Sequence, residues 1–520
     1  MSREQAGPLT ASKLFKSATF WTFLRGGAAA AAVWILFTAW GRWDIPGVDV
    51  ADPLMYTNAG NLVFWVVWMM ALVVLAPVAG RAWCGVCPLG TLNELAARWG
   101  FSRPFPRILR NSYLKAAALV GTVLLLGLGR IHHYPAATAY YAAAWAILAV
   151  AMGAVFAGRS LCSYVCPVGG VLALYARAAP TVMAVRATET CVTCTGRECV
   201  RGSEHWLHMA LGRLRSALRI RRHPCPVNLK VWEMEGAERC LLCFNCMRAC
   251  PLDNVKLALR SPFSSVWNER YPRLSDTVLA AAVMGFLLLS FSRFWPALQD
   301  ILALPVSALA GVTGAALARP LYLFWVGFAL PLVILVTPSL FVGWGRSLHR
   351  QPVNDPGEGG QKGRRVFPVR LWLARQSAGG GERGGEDDEE RLVNGNDSVL
   401  GLATVLMPSV VPVLLGGHLA LAAVKLNAKV AYIGLAAADP TGIRTYMAIE
   451  ELGILPRPGL LLPLAALRPL SAFLVAGGTA LSLLAILKIA RREAVPVLPY
   501  LVQGVVIGAC FAGGLIHWLF

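Results

Sequence analysis

Long uncharged apolar stretches alternate with short basic segments along most of this chain, and the stretches are too long for strands or ordinary core helices. Runs at 53–80, 131–158, 320–345, 399–424 and 494–520 each exceed the roughly 20 residues that a spanning helix needs. Shorter runs at 26–41, 111–129, 277–292 and 469–487 reach that length when flanking Arg and Lys extend their heads to the interface. The pattern predicts an all-α polytopic bundle of nine spans. A further uncharged run, 301–318, contains Pro305, Gly311 and Gly314, and is expected to be interfacial or re-entrant, because a crossing there would invert everything after it. The expected organisation is a four-span region (1–169), a polar Arg- and Cys-rich insert (170–273), two spans (274–345), a Gly-rich charge-biased loop read as disordered (346–397) and three final spans (398–520).

Composition agrees with this pattern: 56% hydrophobic against 15% charged residues is too apolar for soluble domains. A net charge of +20 raises the question of nucleic acid, but its distribution answers otherwise. With the N-terminus inside and nine crossings, most of the 48 Lys and Arg fall on one face, which the positive-inside rule makes cytoplasmic. The expectation is a multi-pass protein of the cell's inner membrane, with the insert in the cytoplasm and the C-terminus outside. The first apolar run lacks a clear small-residue cleavage site and reads as an uncleaved anchor.

Thirteen cysteines change the picture further, twelve of them between 84 and 250 and the last, Cys510, alone in the final span as a small hydrophobe. On a reducing face, clustered thiols bind metal more readily than they pair as disulfides. Cys240-x2-Cys243-x2-Cys246-x3-Cys250-Pro251 has the spacing of a two-cluster ferredoxin, in which the Cys next to Pro ligates the other cluster. A partner set is present as Cys191-x2-Cys194-x4-Cys199 and Cys225-Pro226. The crossed reading gives one [4Fe-4S] cluster Cys191, Cys194, Cys199 and Cys250, and the other Cys240, Cys243, Cys246 and Cys225, within an inserted ferredoxin-like α+β domain. A four-cysteine zinc knuckle is the alternative, against which the eight-cysteine crossing stands.

The second and fourth spans each end in a repeat: Arg81-Ala-Trp-Cys84-Gly-Val-Cys87-Pro88-Leu-Gly90, and Arg159-Ser-Leu-Cys162-Ser-Tyr-Val-Cys166-Pro167-Val-Gly169. If those spans pack side by side, the four thiols either ligate a third [4Fe-4S] cluster, form a redox-active dithiol, or merely shape two helix ends. Over residues 60–260 these motifs and their order resemble the membrane polyferredoxins of the NapH, NosR and CcoG type, with Cys84 to Pro88 one residue shorter than the usual motif. The resemblance implies electron transfer between the quinone pool and an unidentified redox protein partner. A maturation reductase acting on a metal or thiol of another enzyme, and a non-catalytic membrane anchor, are the alternatives. No catalytic residue is assigned.

Two features lie outside the thiols. Residues 203–222 place Trp206, Leu207, Leu211, Leu214 and Leu218 at helical spacing beside Arg215, Arg219 and Arg222, which predicts a basic amphipathic helix resting on anionic lipid. His418 and His517 lie in apolar spans, where ionisable groups are functional by default. They are read as a pair holding a b-type haem, or with His132, beside His133, as a quinone site near the outer face; the alternative is two unrelated histidines that bond backbone carbonyls or reach headgroups.

Overall fold

The apolar runs become helices. In the computed structural model, which describes residues 14–48, 52–211, 214–222, 224–234, 236–268, 272–313, 315–349 and 399–519, eight helices are long and apolar enough to cross a bilayer. They are Ala18–Ala39, Ala59–Ala79, Pro135–Val155, Leu274–Ser292, Leu317–Trp344, Val399–Ala438, Leu464–Arg492 and Leu498–Leu519. Tyr113–Leu128 is apolar as well but has only 16 residues. The 301–318 run lies across the helix Pro296–Thr313, which contains Pro305, and the start of the next helix; it is not among the eight. Of the 346–397 segment, the first residues end the helix Leu330–His349, and everything from 350 lies outside the described residues.

Leu274–Ser292 sits at the centre of the bundle. Leu279, Ala280, Ala281, Ala282, Val283 and Met284 are all at most 1% exposed, so successive residues are buried around a full turn in this part of the helix. Ala18–Ala39 is the opposite case: of its residues only Trp21, Thr38 and Ala39 are buried, as expected of a helix on the bundle's rim.

At one end of the bundle two of the long helices turn into short helical segments. Ala59–Ala79 stops at Gly80, whose φ of +55° suits glycine, and the chain continues through Ala82–Val86 into Pro88–Trp99. Pro135–Val155 gives way to Ser160–Tyr164 and then Pro167–Tyr175. The insert docks on this same end. Its strand β1 (Thr181–Val185) pairs antiparallel with β4 (Val255–Leu259), from Thr181↔Leu259 to Val185↔Val255, so residues 186–254 form a loop closed at its base by a two-stranded sheet.

The expected amphipathic helix at 203–222 is not formed. These residues make a second antiparallel pair, β2 (Ser203–Leu211) with β3 (Leu214–Arg222), in register from Ser203↔Arg222 to Leu211↔Leu214. Leu214, Leu218 and Ile220 alternate with Arg215, Arg219 and Arg221, so the segment carries period two as well as helical period. Only Gly212 and Arg213 separate the strands, a connection length and a glycine that favour a hairpin.

Candidate functional site

The insert gathers its cysteines through the β1–β4 pair. The strand ends at Val185 and Val255 lie opposite each other, which brings the chain entering Cys191 beside the chain leaving Cys250. Asn254 ties the two. Its side chain accepts from Ala187 N at 3.0 Å, and its Nδ2 donates to Ala187 O at 2.7 Å and to Cys191 Sγ at 3.1 Å, while its own N–H donates to Cys250 Sγ at 3.4 Å. Cys191, Cys194, Cys199 and Cys250 line one pocket together with Trp232 and Arg197. Burial raises the Cys199 thiol above its ordinary value, and the neighbouring thiols of Cys250, Cys191 and Cys194 raise it further.

The other four insert cysteines form a second neighbourhood. Burial drives the Cys246 thiol well up, followed by Cys240, Cys243 and Cys225. The Cys240 thiol is pushed to about 12, by burial first and by Cys243 and Cys225 after it. Backbone N–H groups face these sulfurs: Leu242 N donates to Cys240 Sγ and Leu229 N to Cys225 Sγ, each at 3.4 Å. The two neighbourhoods touch, because Cys225 N donates to Cys199 O at 3.1 Å.

At the membrane end the two repeats meet despite their unequal lengths. In each, an Arg precedes a helical turn that carries the first cysteine, and the second cysteine is the N-cap of a helix with Pro at its first position. The extra residue of the second repeat, Val165, is taken up as the C-cap of Ser160–Tyr164, so the N-cap geometry stays the same: φ −52°, ψ 130° at Cys87 and φ −59°, ψ 117° at Cys166. Gly169 N donates to Cys166 Sγ at 3.3 Å. Burial pushes the Cys162 thiol well up, with Cys166, Cys87 and Cys84 as its charged neighbours and Arg159 opposing them. The Cys166 thiol is pushed up to about 12, mainly by burial.

This membrane-end group abuts the insert. A Cβ at Gly85 would stand 3.2 Å from the Leu241 and Leu242 carbonyls and 3.3 Å from Cys243 Cα. Arg159 N donates to Pro226 O at 2.9 Å, next to Cys225. A buried ion pair reinforces the seam: Glu94 faces Arg159 at 2.8 Å and Arg25 at 3.6 Å, and Arg25 Nε donates to Gly85 O at 3.1 Å. Burial alone would raise the Glu94 pKa, but Arg159 and Arg25 hold it at about 2.

Each neighbourhood supplies four thiols, the donor set that a cubane takes with one thiolate on each of its four irons. Buried thiols with raised pKa values stay protonated near neutrality unless a metal displaces the proton. Two buried cationic donors, Arg81 Nε and Arg25 Nη2, have no partner among the described residues, which fits an anionic occupant nearby. Asn254, Glu94 and Arg25 are supporting residues that motif reading missed; Arg81 and Arg159 were visible as the residues heading both repeats, without an assigned role.

The histidines do not come together. His418 bonds through Nδ1 to the Tyr175 hydroxyl at 2.9 Å and packs on Phe286, inside Leu274–Ser292, whereas His517 stacks at 5.0 Å on Trp295, beyond that helix's end. Each has its own partner, and the expected facing pair for a haem is not formed. His132 lies with His133 at the bundle's other end, its carbonyl accepting from Asn61 Nδ2 at 2.9 Å; His133 contacts Asp52. Cys510 packs against the main apolar core, as a small hydrophobe would.

Comparison with known proteins finds two segments, 61–106 and 138–183, that match a family described as 4Fe-4S binding domain. Each segment contains one of the two membrane-end repeats. An uncharacterized protein of Methanocaldococcus jannaschii is 29% identical over 190 residues, covering 34% of this chain and 64% of that protein. The chain therefore spans less than two thirds of the length of this curated relative. No solved structure matches. The chain carries a twice-matched 4Fe-4S binding domain on a bundle of apolar helices consistent with a multi-pass membrane protein.

Proposed function

We propose that this chain is a membrane electron-transfer protein that holds three iron-sulfur groups in a row at one end of a nine-span bundle. Cys84, Cys87, Cys162 and Cys166 would hold the first, Cys240, Cys243, Cys246 and Cys225 the second, and Cys191, Cys194, Cys199 and Cys250 the third, in a ferredoxin-like insert. One observation carries the reading: the three four-cysteine neighbourhoods abut in that order, joined by Arg159 N to Pro226 O at 2.9 Å and Cys225 N to Cys199 O at 3.1 Å. Each group, when bound, accepts and releases a single electron. The chain's part is to fix the three sets against one another, to keep water from the first two, and to leave the third beside exposed Val192 and Leu252, at 63% and 56%. Membrane quinone and a redox protein partner are the exchange partners that this order suits.

Support for a quinone level near the first group comes from Trp68 and Trp83. Their rings lie 5.8 Å apart, one in the Ala59–Ala79 helix and one next to Cys84, and both buried indole N–H groups lack a partner among the described residues. Since His418 and His517 stand apart, no haem is needed in this reading.

The direct test is composition. Purified protein is expected to contain about twelve iron and about twelve acid-labile sulfide per chain. About eight of each would remove the membrane-end group from the relay, and zinc in place of iron would sink the reading altogether. Orientation is checked separately: a membrane-impermeant thiol probe on intact cells should leave the insert unlabelled, and a reporter fused after Phe520 should read out on the outer side. A cytoplasmic reporter would mean an even number of crossings.

A further inference from the structure

The two membrane-end repeats exchange arginines. Arg81, heading the first repeat, donates from Nη2 to the Cys162 carbonyl of the second at 3.1 Å, and Arg159, heading the second, donates from Nη1 to the Cys84 carbonyl of the first. The approach is symmetric in its glycines too. A Cβ at Gly90 would lie 3.0 Å from Arg159 Nη1, and one at Gly169 would lie 3.1 Å from Arg81 Nη2, so each arginine passes over a residue without a side chain two positions after the opposite Cys-Pro. Both guanidiniums are out of water, at 3% and 0% exposure.

Charge is unbalanced around these four thiols. A buried cation is costly without an anionic partner. Glu94 is the carboxylate bonded to Arg159, and it is shared with Arg25 at 3.6 Å and Arg98 at 3.4 Å. Arg81 donates only to the backbone oxygens of Glu238 and Cys162 among the described residues, and its Nε has no partner. Lys115, 7% exposed, lies on that side too, and Asp276 there is taken by Arg177 at 2.8 Å. The excess positive charge awaits an anion.

We propose that Arg81 and Arg159 are positioning residues of the membrane-end group, holding an anionic thiolate-ligated cofactor in place and raising its reduction potential. The inference rests on the three-group reading above. A fixed cation favours whichever redox state bears more negative charge, and an iron-sulfur potential follows net charge and hydrogen bonding around the sulfurs. A cation in the wall of a buried site therefore makes the bound group easier to reduce.

A redox titration followed by paramagnetic resonance, on the purified holoprotein, tests this. In Arg159→Gln one of three midpoints should fall by at least the equivalent of a tenfold change in the reduction equilibrium, about 59 mV for one electron, and Arg159→Lys should restore most of it. Glu94→Gln, which removes a negative charge, should move the same midpoint upward; it and Arg81→Gln carry the test if Arg159→Gln does not accumulate. Unmoved midpoints at full iron content, or shifts of the same sign in Glu94→Gln and Arg159→Gln, overturn the inference. Iron content separates the two levels: about eight iron in the unaltered protein defeats the three-group reading and this inference with it, whereas about twelve iron with unmoved midpoints defeats this inference alone.

Discussion

Replacing Cys250 with Ser is expected to empty the Cys191, Cys194 and Cys199 site and to leave intact the triplet that Cys250 follows in sequence. Iron should drop by about four per chain. The reason lies in β1 and β4: their pairing ends at Val185↔Val255, and Asn254 then holds the two chains by bonding Ala187, Cys191 Sγ and Cys250 Sγ. Double variants make the crossing decidable. Cys250→Ser with Cys194→Ser should lose no more iron than Cys250→Ser alone, because both remove ligands from one group, whereas Cys250→Ser with Cys243→Ser should lose about twice as much. The reverse pattern would mean that Cys250 serves its own triplet.

Gly158→Val should separate the insert from the membrane end. Gly158 has φ +67°, a region costly for a β-branched residue, and a Cβ there would stand 2.3 Å from Pro226 O, a backbone atom that has little room to yield. The neighbouring bond from Arg159 N to Pro226 O is expected to break with it. The cost should be on the order of 3 kcal/mol, read as a lower midpoint for thermal release of iron and as faster proteolysis within 180–260. Gly121→Val is the matched control, since nothing lies within 4 Å of its would-be Cβ; it should change stability by no more than about 0.5 kcal/mol. Equal behaviour of the two variants would remove the seam as a structural joint.

Both expectations depend on contacts between segments far apart in the chain, and this is the kind of information that a sequence holds least directly. The apolar helices were legible, because a run's length and freedom from charge are properties of one segment and the bilayer acts on each segment separately. Thus 53–80 becomes Ala59–Ala79 and 131–158 becomes Pro135–Val155, with trimming at the ends. The Cys-Pro pairs were legible for the same reason: proline at the first helical position and cysteine before it are local features, and both repeats form them. The segment 203–222 shows where local reading fails. Its leucines satisfy the helical and the strand period at once, and the strand pairing takes it through a register that only its partner strand supplies. His418 and His517 fail differently, since depth in a span says nothing about which neighbour a ring meets; Tyr175 and Trp295 decided that.

What the sequence by itself determined is therefore the material: apolar helices, two Cys-Pro helix starts, and eight insert cysteines at spacings that suit iron-sulfur groups. What only the tertiary structure decided is the arrangement: the meeting of the two repeats through exchanged arginines, the docking of Gly85 and Gly158 against the insert, and the Asn254 bonds to the Cys191 and Cys250 sulfurs, two residues that spacing had already assigned to one group. The physical reason is that hydrophobicity and helix starting act along the chain, whereas a shared ligand set depends on backbone approach and buried charge between segments that the chain alone does not bring together.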